Sequence, residues 1–568
     1  MRALVFILSA FLLLPVLFSC KDKTSANFAE ISSLNLKRGD IVACGPQDGE
    51  IFGSVSFTAS VPDSLKKDFN IAIALLHSFE YNESEKMFAK VIDGSPGCAM
   101  AYWGIAMSNF HPLWAPPTQA ELEKGARAIE LARSIKDKTK RESDYIEALA
   151  KFFENARQVD HRSRVLSFEN AMEQLYKTYP SDIESAIFYA LALNAAADPT
   201  DKTYTKQKKA FSILNPIFQR EPLHPGIAHY IIHNCDYPAL AELALPAARK
   251  YASIAPASAH AQHMPSHIFT RLGLWDECIL SNLVSVSAAQ CYASKAKIKG
   301  HWDEELHGLD YLVYAYLQKG DDQQAKQQAD YLQTIREVYP VNFKTAYAFA
   351  AIPARYALER KMWREAASLS LNPTNFPWQD FPWQESIIHF ARSLGAVHLN
   401  NINEAKAELE NLRSLHNNLL NGSDKQQETQ VAVQIKSIEA WIEYKQKNDK
   451  KAVELMKEAA DLEDRSEKHP VTPGEVIPAR ELYGEMLLEM NKPSLALENF
   501  ELDLKTHPNR FNALYDAGIA AEKTGNKEKA TVFYKKLIEI SDPKNCKRTE
   551  VDHARFFCHG TSSRRYSY

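Results

Sequence analysis

The chain has 568 residues, 45% of them hydrophobic and 24% charged, a composition that excludes both a largely disordered chain and a multi-span membrane protein. Its 67 basic and 71 acidic residues give a formal net charge of −4, and no long block of one sign gives the electrostatic footprint of a nucleic-acid binder. Only 20 residues are glycine, which disfavours glycine-rich phosphate loops and favours helix.

The N-terminus predicts secretion. Arg2 precedes an apolar run from Ala3 to Phe18, which indicates a signal peptide over residues 1–19. Leu17 to Cys20 resembles the lipobox of bacterial lipoproteins, so Cys20 is expected to carry acyl chains such as palmitate. This resemblance implies a lipid-anchored, extracytoplasmic protein of the bacterial cell envelope. The alternative, an uncleaved anchor helix, is disfavoured because the run is shorter than the roughly 20 residues that span a bilayer.

Residues 20–63 are predicted to be a linker, because glycine and proline are frequent there and helical periodicity is absent. The alternating residues from Phe52 to Phe57 suggest one short strand. Besides Cys20 the chain has seven scattered cysteines without C-x-x-C pairs, which is not the pattern of a disulfide framework or a zinc ribbon. Most are expected to be buried thiols, and Cys546 and Cys558 could pair in an oxidising compartment.

Residues 64–543 contain a pattern that repeats with a period of 34 residues, most clearly near the end of the chain. The repeated positions are Gly484 and Gly518, Ala496 and Ala530, and Phe500 and Tyr534. Small residues let two antiparallel helices approach, the aromatic ring fills the space between them, and a proline ends the second helix.

This pattern resembles the tetratricopeptide repeat (TPR). The resemblance predicts an all-α fold, a right-handed superhelical solenoid of TPR-like helical hairpins from residue 64 to 543. Residues 544–568 lack periodicity and are expected to form a frayed C-terminal tail.

Histidines are concentrated in the middle of this solenoid. Eight of the 18 histidines lie between residues 224 and 307. In units starting at Pro225, Ala259 and Leu306, His229 and His263 are fifth residues, and His233 and His267 are ninth residues. The third unit has His307 at its second place, Asp310 at its fifth and Tyr314 at its ninth.

In TPR proteins these places of the first helix line the concave groove, and the resemblance implies the same for His77 and Asp236. Histidines four residues apart share one helix face, and first helices of neighbouring units pack roughly 8–10 Å apart. The histidines between residues 224 and 307 thus form a ladder along the solenoid, and this ladder predicts that histidines meet across repeats. Pro265 offers an alternative, in which the helix starts late and His263 leaves this face.

Two histidines at i and i+4, completed by a ligand from the next helix, are a known arrangement for a divalent metal ion. The candidate ligands are His229, His233, His263, His267, His307 and Asp310. Two other interpretations stay open: histidines that only satisfy buried polar groups, and histidines that contact an organic or peptide ligand. The chain contains no H-E-x-x-H, G-x-S-x-G, Walker or G-x-G-x-x-G motif.

Several stretches, among them His263 to Phe269 and His469 to Gly474, resemble a group of secreted bacterial TPR proteins without an established activity. The first functional hypothesis is a membrane-anchored TPR scaffold that binds a protein or peptide partner in its concave groove, and no nucleic acid. The second is a metal-binding protein or metalloenzyme, a hydrolase or an oxygen-using enzyme, with a divalent transition metal held between residues 224 and 314.

Overall fold

The computed structural model describes residues 25–46, 51–113, 116–420, 422 and 424–562. The predicted signal peptide and Cys20 lie outside these residues. Among the residues described, no helix combines the length and the apolar character needed to cross a bilayer.

The regular secondary structure of the described residues is almost entirely helical. Its first helices are α1 (Phe28–Ser32), α2 (Lys66–His77), α3 (Tyr81–Gly94), α4 (Ala99–Met107), α5 (Gln119–Ser134), α6 (Lys140–Phe153), α7 (His161–Thr178), α8 (Ile183–Ala195) and α9 (Thr205–Phe218). The middle helices are α10 (Pro225–Cys235), α11 (Ala241–Ile254), α12 (Ala259–His263), α13 (Pro265–Leu272), α14 (Trp275–Lys295), α15 (Asp303–Gln318), α16 (Asp322–Leu332), α17 (Phe343–Glu359) and α18 (Trp363–Ala367).

The last helices are α19 (Pro382–His398), α20 (Ile402–Leu420), α21 (Lys425–Lys445), α22 (Asp449–Arg465), α23 (Ala479–Glu489), α24 (Pro493–Thr506), α25 (Phe511–Lys523), α26 (Lys527–Ile540) and α27 (Thr549–Ser562). Two 3₁₀ turns, Asp63–Leu65 and Trp378–Asp380, and a parallel pair of two-residue strands, β1 (His301–Trp302) and β2 (Val338–Tyr339), complete the fold.

Successive helices pair into antiparallel hairpins that stack along the chain. The predicted packing rule is visible at the glycines: a Cβ atom on Gly484 would lie 2.6 Å from the Phe500 ring, and one on Gly518 would lie 2.3 Å from the Tyr534 ring. Only glycine lets the two helices come this close. The prediction of an all-α solenoid of TPR-like hairpins is confirmed.

The solenoid also curls far enough for distant hairpins to touch. The indole nitrogen of Trp275 donates a hydrogen bond to the carbonyl of Asn509 at 2.8 Å, and the amide of Asp542 donates to the carbonyl of Lys319 at 2.8 Å. These contacts seal the inner wall, so that every residue of α15 is buried. The concave side is therefore part of the core and not an open groove along its whole length.

Both flanking segments dock more tightly than the sequence predicts. In the linker, the amide of Ser54 donates to the carbonyl of Leu223 at 3.0 Å, and Cys44 forms a disulfide with Cys291 of α14. The strand expected from Phe52 to Phe57 is not formed, because this segment runs past helix ends that offer no continuous strand edge to pair with.

The expectation of a frayed C-terminal tail is wrong for the described part. Arg548 forms a 2.6 Å ion pair with Asp322 of α16, and Val551 and Ala554 of α27 are buried. Cys546 is a free thiol next to Gly320, so it does not pair with Cys558. The expectation of buried thiols holds for three cysteines: Cys98, Cys235 and Cys278.

Candidate functional site

Six histidines of the predicted ladder meet on the inner wall of the solenoid. Helix α10 begins with Pro225, whose fixed φ angle favours the first helical position, and it carries His229 and His233 one turn apart. In the next hairpin, Met264 keeps helical dihedrals (φ −52°, ψ −35°) between α12 and α13. His263 and His267 therefore stay on one face despite Pro265.

The first triad consists of His229, His233 and His260. The Nε2 atom of His229 lies 3.0 Å from Nε2 of His233 and 3.2 Å from Nε2 of His260. His229 and His260 are buried, and His233 is half-buried.

The second triad consists of His263, His267 and His307, all buried. The Nε2 atoms of His263 and His267 are 3.1 Å apart, and the ring of His307 packs at a tilt with its centroid 4.1 Å from that of His263. In each triad, one ligand atom per residue lies within 4.8 Å of the other two. Bonds of about 2.0–2.1 Å to one ion, typical of imidazole ligands, span such distances.

The two triads obey one rule of the repeat. Each takes the fifth and ninth residues of one unit and the second residue of the next. His260 completes the first triad in the way that His307 completes the second. Sequence analysis did not select His260 as a ligand, although its place in the unit starting at Ala259 is the same as that of His307 in its own unit.

Hydrogen bonds fix where the protons lie in the second triad. Asn282 donates its side-chain NH₂ group to the carbonyl of Cys278 at 2.8 Å, so its Oδ1 atom accepts from Nδ1 of His263 at 2.7 Å. Asp236 accepts from Nδ1 of His267 at 3.0 Å. A neutral imidazole carries one N–H, so both Nε2 atoms present lone pairs to each other. A cation bound to both removes this repulsion.

The first triad is oriented in the same way. The Nδ1–H group of His229 donates to the carbonyl of His77 at 2.6 Å, which leaves the lone pair on Nε2. Nδ1 of His260 faces a carboxylate oxygen of Glu304 at 3.7 Å. Partners of this kind hold the ring orientation of metal-binding histidines and raise their basicity.

The two carboxylates that face Nδ1 atoms of the triads, those of Asp236 and Glu304, each form ion pairs with cationic side chains. Asp236 pairs with Lys468 and with Arg271, each at 2.9 Å, and Glu304 pairs with Lys344. Burial lowers the pKa of Lys468 to about 8, although Asp236 opposes this shift. The lysine and arginine side chains therefore compensate the negative charges of both carboxylates, and no positive charge on the triads is needed.

Burial also disfavours the protonated form of four of these imidazoles. It lowers the pKa of His229, of His263 and of His307 well below 6.5, and the neighbouring rings of each triad add to the effect. Burial lowers the pKa of His267 as well, against the raising effect of Asp236. Neutral rings are the form that binds metal ions.

Three other predicted residues belong to neither triad. The structure contradicts the assignment of Asp310 as a ligand, because the buried guanidinium of Arg355 on α17 binds its carboxylate. Tyr314 accepts a hydrogen bond from Arg510 at 3.0 Å and lines no metal site. Asp236 touches the second triad only through the hydrogen bond that it accepts from Nδ1 of His267.

His77 belongs to a different cluster with Glu184 and His224. Nε2 of His77 and Nε2 of His224 each lie 3.0 Å from a different oxygen of Glu184, and Tyr230 lies 3.0 Å from Nδ1 of His77. Two N–H groups and one carboxylate satisfy each other here. Gly226 leaves room for this ring, because a Cβ atom there would lie 2.6 Å from Nδ1 of His77.

A cavity of about 500 Å³ adjoins both triads. Its wall includes His233 and His260 of the first triad and His267 and His307 of the second. The opposite side includes the segment Lys468–Val471, which links α22 to α23 and is held by a 3.2 Å hydrogen bond from Tyr311 to the carbonyl of Val471. The chain itself thus covers part of the concave surface that sequence analysis assigned to a partner.

No protein-family model matches this chain, and no curated protein matches it. The human IFIT1 dimer with PPP-AAAA is similar over 85% of this chain and 96% of its own, with 12% identity and a TM-score of 0.34. The TPR domain of P58(IPK) gives 14% identity and a TM-score of 0.19 over 67% of this chain and 99% of its own.

The Cut9–Hcn1 heterotetramer of APC/C gives 10% identity and a TM-score of 0.27 over 87% of this chain and 96% of its own. Similarities at this level carry no argument about function. The hairpins described above are what define this chain as a TPR-like helical scaffold.

Proposed function

We propose that this protein binds transition-metal ions at two three-histidine sites built into its TPR-like scaffold. The observation that carries the proposal is the pair of lone-pair-bearing Nε2 atoms of His263 and His267, 3.1 Å apart in the protein interior. The cluster of His77, Glu184 and His224 differs, because there both Nε2 atoms face carboxylate oxygens and not each other. A shared metal ion gives both atoms a partner.

The donor set narrows the choice of metal. Six imidazole ligands without a carboxylate or thiolate suit zinc, copper, iron or nickel, and disfavour magnesium and calcium, which prefer oxygen ligands. Three protein ligands leave a coordination position for an exogenous ligand, the arrangement of a reactive site and not of a closed structural one.

Metal analysis of the purified full-length protein tests the proposal. After loading with copper or zinc and removal of loosely bound ions, we expect two ions per chain. His229→Gln and His263→Gln should each lose one ion, and His559→Ala, at an exposed position of α27, should lose none. A folded wild-type protein that retains no ion after loading would refute the proposal.

We also propose that the protein is anchored in the cell envelope through acylation of Cys20. The lipobox-like Leu17–Cys20 supports this location, and so does the disulfide between Cys44 and Cys291, because disulfides persist in oxidising compartments. Labelled palmitate should appear on the wild type and not on Cys20→Ala, which should leave the membrane fraction. Equal membrane retention of both would contradict the anchor.

Binding of a protein partner is the second candidate function. The TPR-like scaffold supports it in general, and the exposed aliphatic side chains of Leu280, Leu283 and Val284 on one face of α14 favour it specifically. This surface differs from the concave groove expected from the sequence, which Lys468–Val471 partly fills. Leu283→Asp should abolish partner binding and leave the metal content unchanged, and a variant that retains its partner would exclude this surface.

A further inference from the structure

The two triads are direct neighbours. The ring centroids of His233 in the first triad and His267 in the second are 6.4 Å apart, the same distance as between His233 and His260 within the first triad. His260 and His263, which belong to different triads, both lie on α12. Ions bound by the two triads would therefore be close to each other.

Both triads face the same small cavity. Two rings from each triad line it, and its volume of about 500 Å³ accommodates a small ligand that contacts both sites at once. Asp236 already binds the charged groups of Lys468 and Arg271, which also line this cavity.

One aromatic ring contacts all three histidines of the first triad. Phe79 packs its ring 4.4 Å from His229, 5.5 Å from His233 and 5.8 Å from His260, measured between ring centroids. Its backbone adopts φ +59°, a left-handed conformation that non-glycine residues rarely adopt. The fold thus holds an aromatic ring against all three ligands, which lowers the local dielectric on that side of the triad.

These features select among the metals that imidazole binds. Imidazole binds metal in its uncharged form, so six histidine ligands compensate none of the charge of the bound ions, and a buried site penalises high charge. A monovalent ion with nitrogen ligands meets both conditions, and Cu(I) is the first-row ion of this kind. Copper also binds nitrogen ligands most strongly of the divalent series once it is oxidised.

We propose that the two triads form one coupled copper pair that binds dioxygen between its ions in the shared cavity. This proposal rests on the proposed function. Each Cu(I) gives one electron to dioxygen, the O=O double bond becomes an O–O single bond, and the products are two Cu(II) ions and one bound peroxide dianion. The step needs no proton and no external reductant, and it reverses when dioxygen is removed. The peroxide charge compensates the charge that the ions gain.

The test is loading of the full-length protein with two Cu(I) per chain without air, followed by exposure to dioxygen. We expect uptake of one dioxygen for every two copper ions, a near-ultraviolet charge-transfer band that disappears under vacuum, and no paramagnetic Cu(II) signal, because the two ions are magnetically coupled. A Cu(II) signal that integrates to two ions per chain would overturn the coupling and leave the proposed metal binding intact. Failure to retain copper would instead refute the proposed function.

Variants of single triads sharpen this test. His263→Gln should keep copper in the first triad and lose dioxygen uptake completely, because one ion supplies only one electron. His233→Gln, at a half-buried position of the first triad, gives the reciprocal variant if His263→Gln does not fold. His224→Gln, in the cluster of His77 and Glu184, should bind dioxygen like the wild type. Half of the wild-type uptake in either triad variant would show that the sites act independently and would overturn the proposal.

Discussion

Two kinds of buried histidine cluster lie side by side on the inner wall of this solenoid. In the cluster of His77, Glu184 and His224, two N–H donors face one carboxylate, and Nδ1 of His224 is buried without a hydrogen-bond partner among the described residues. In the second triad, the N–H groups of His263 and His267 point outward to Asn282 and Asp236, and two lone pairs face each other. Burial and ring spacing are similar in both regions, so the position of the protons is what distinguishes a hydrogen-bonded cluster from a metal site.

The largest expected effect is stabilisation of the triads by metal. At a free concentration of about 1,000 times the dissociation constant, each occupied site should add about 4 kcal/mol to the apparent free energy of unfolding. Denaturation of the wild type with copper or zinc and with a chelator measures this difference. His224→Gln should show the same gain as the wild type. An unfolding midpoint that metal leaves unchanged would contradict the assignment of the triads as metal sites.

Removal of the carboxylate from the hydrogen-bonded cluster should have the next largest effect. Glu184→Ala leaves two buried N–H donors without their acceptor, and we expect a loss of about 3–5 kcal/mol in the free energy of unfolding. Glu184→Gln, which keeps one acceptor oxygen, should lose less. Both variants should bind the same number of metal ions as the wild type. Loss of an ion in a folded Glu184→Gln protein would place this cluster among the metal sites.

Substitution of Asp236, whose carboxylate accepts a hydrogen bond from His267 of the second triad, should have a smaller effect. Asp236→Asn weakens the partner of His267 and should reduce metal affinity at one site about 10- to 100-fold, which is roughly 1.4–2.7 kcal/mol. Competition with a chromophoric chelator measures it. Asp310→Asn is the matched control, because Arg355 and not a triad binds that carboxylate. Equal weakening by both substitutions would contradict the assignment of Asp236.

The smallest expected effect is the change with acid pH in the stability that Glu184 contributes. Burial alone would raise the pKa of Glu184, but the facing His77 and His224 hold it well below its ordinary value of 4.5. Its contribution to stability is therefore complete above about pH 4.5 and is lost as the pH falls toward the lower pKa of the folded state. Between pH 4.5 and 3.5, the stability advantage of the wild type over Glu184→Gln should shrink by about 1 kcal/mol. A constant advantage over this range would show that the folded pKa is not depressed.

Much of the fold could be predicted because the repeat is local. The spacing of small and aromatic residues in one hairpin determines how its two helices pack, as Gly484 with Phe500 illustrates. The same register predicted that His229, His233, His263 and His267 point inward. It also contains the position of His260, which a comparison of second places in successive units would have identified as a ligand.

The remaining errors concern partners that lie far away along the chain. Asp310 has the right register for a ligand, but Arg355 arrives from the next hairpin and neutralises it. The disulfide of Cys44 with Cys291 and the ion pair of Arg548 with Asp322 attach segments that have no helical periodicity to predict their docking.

The sequence by itself thus determined the helical hairpins, their stacking direction along the chain and the inward face that carries the histidines, because these depend on residues within one or two units. Only the tertiary structure decided which ring nitrogens carry protons and which face each other. His229, for example, donates to a carbonyl 152 residues away. Such contacts arise when the solenoid curls on itself, and no periodicity of the chain encodes the distance between its turns.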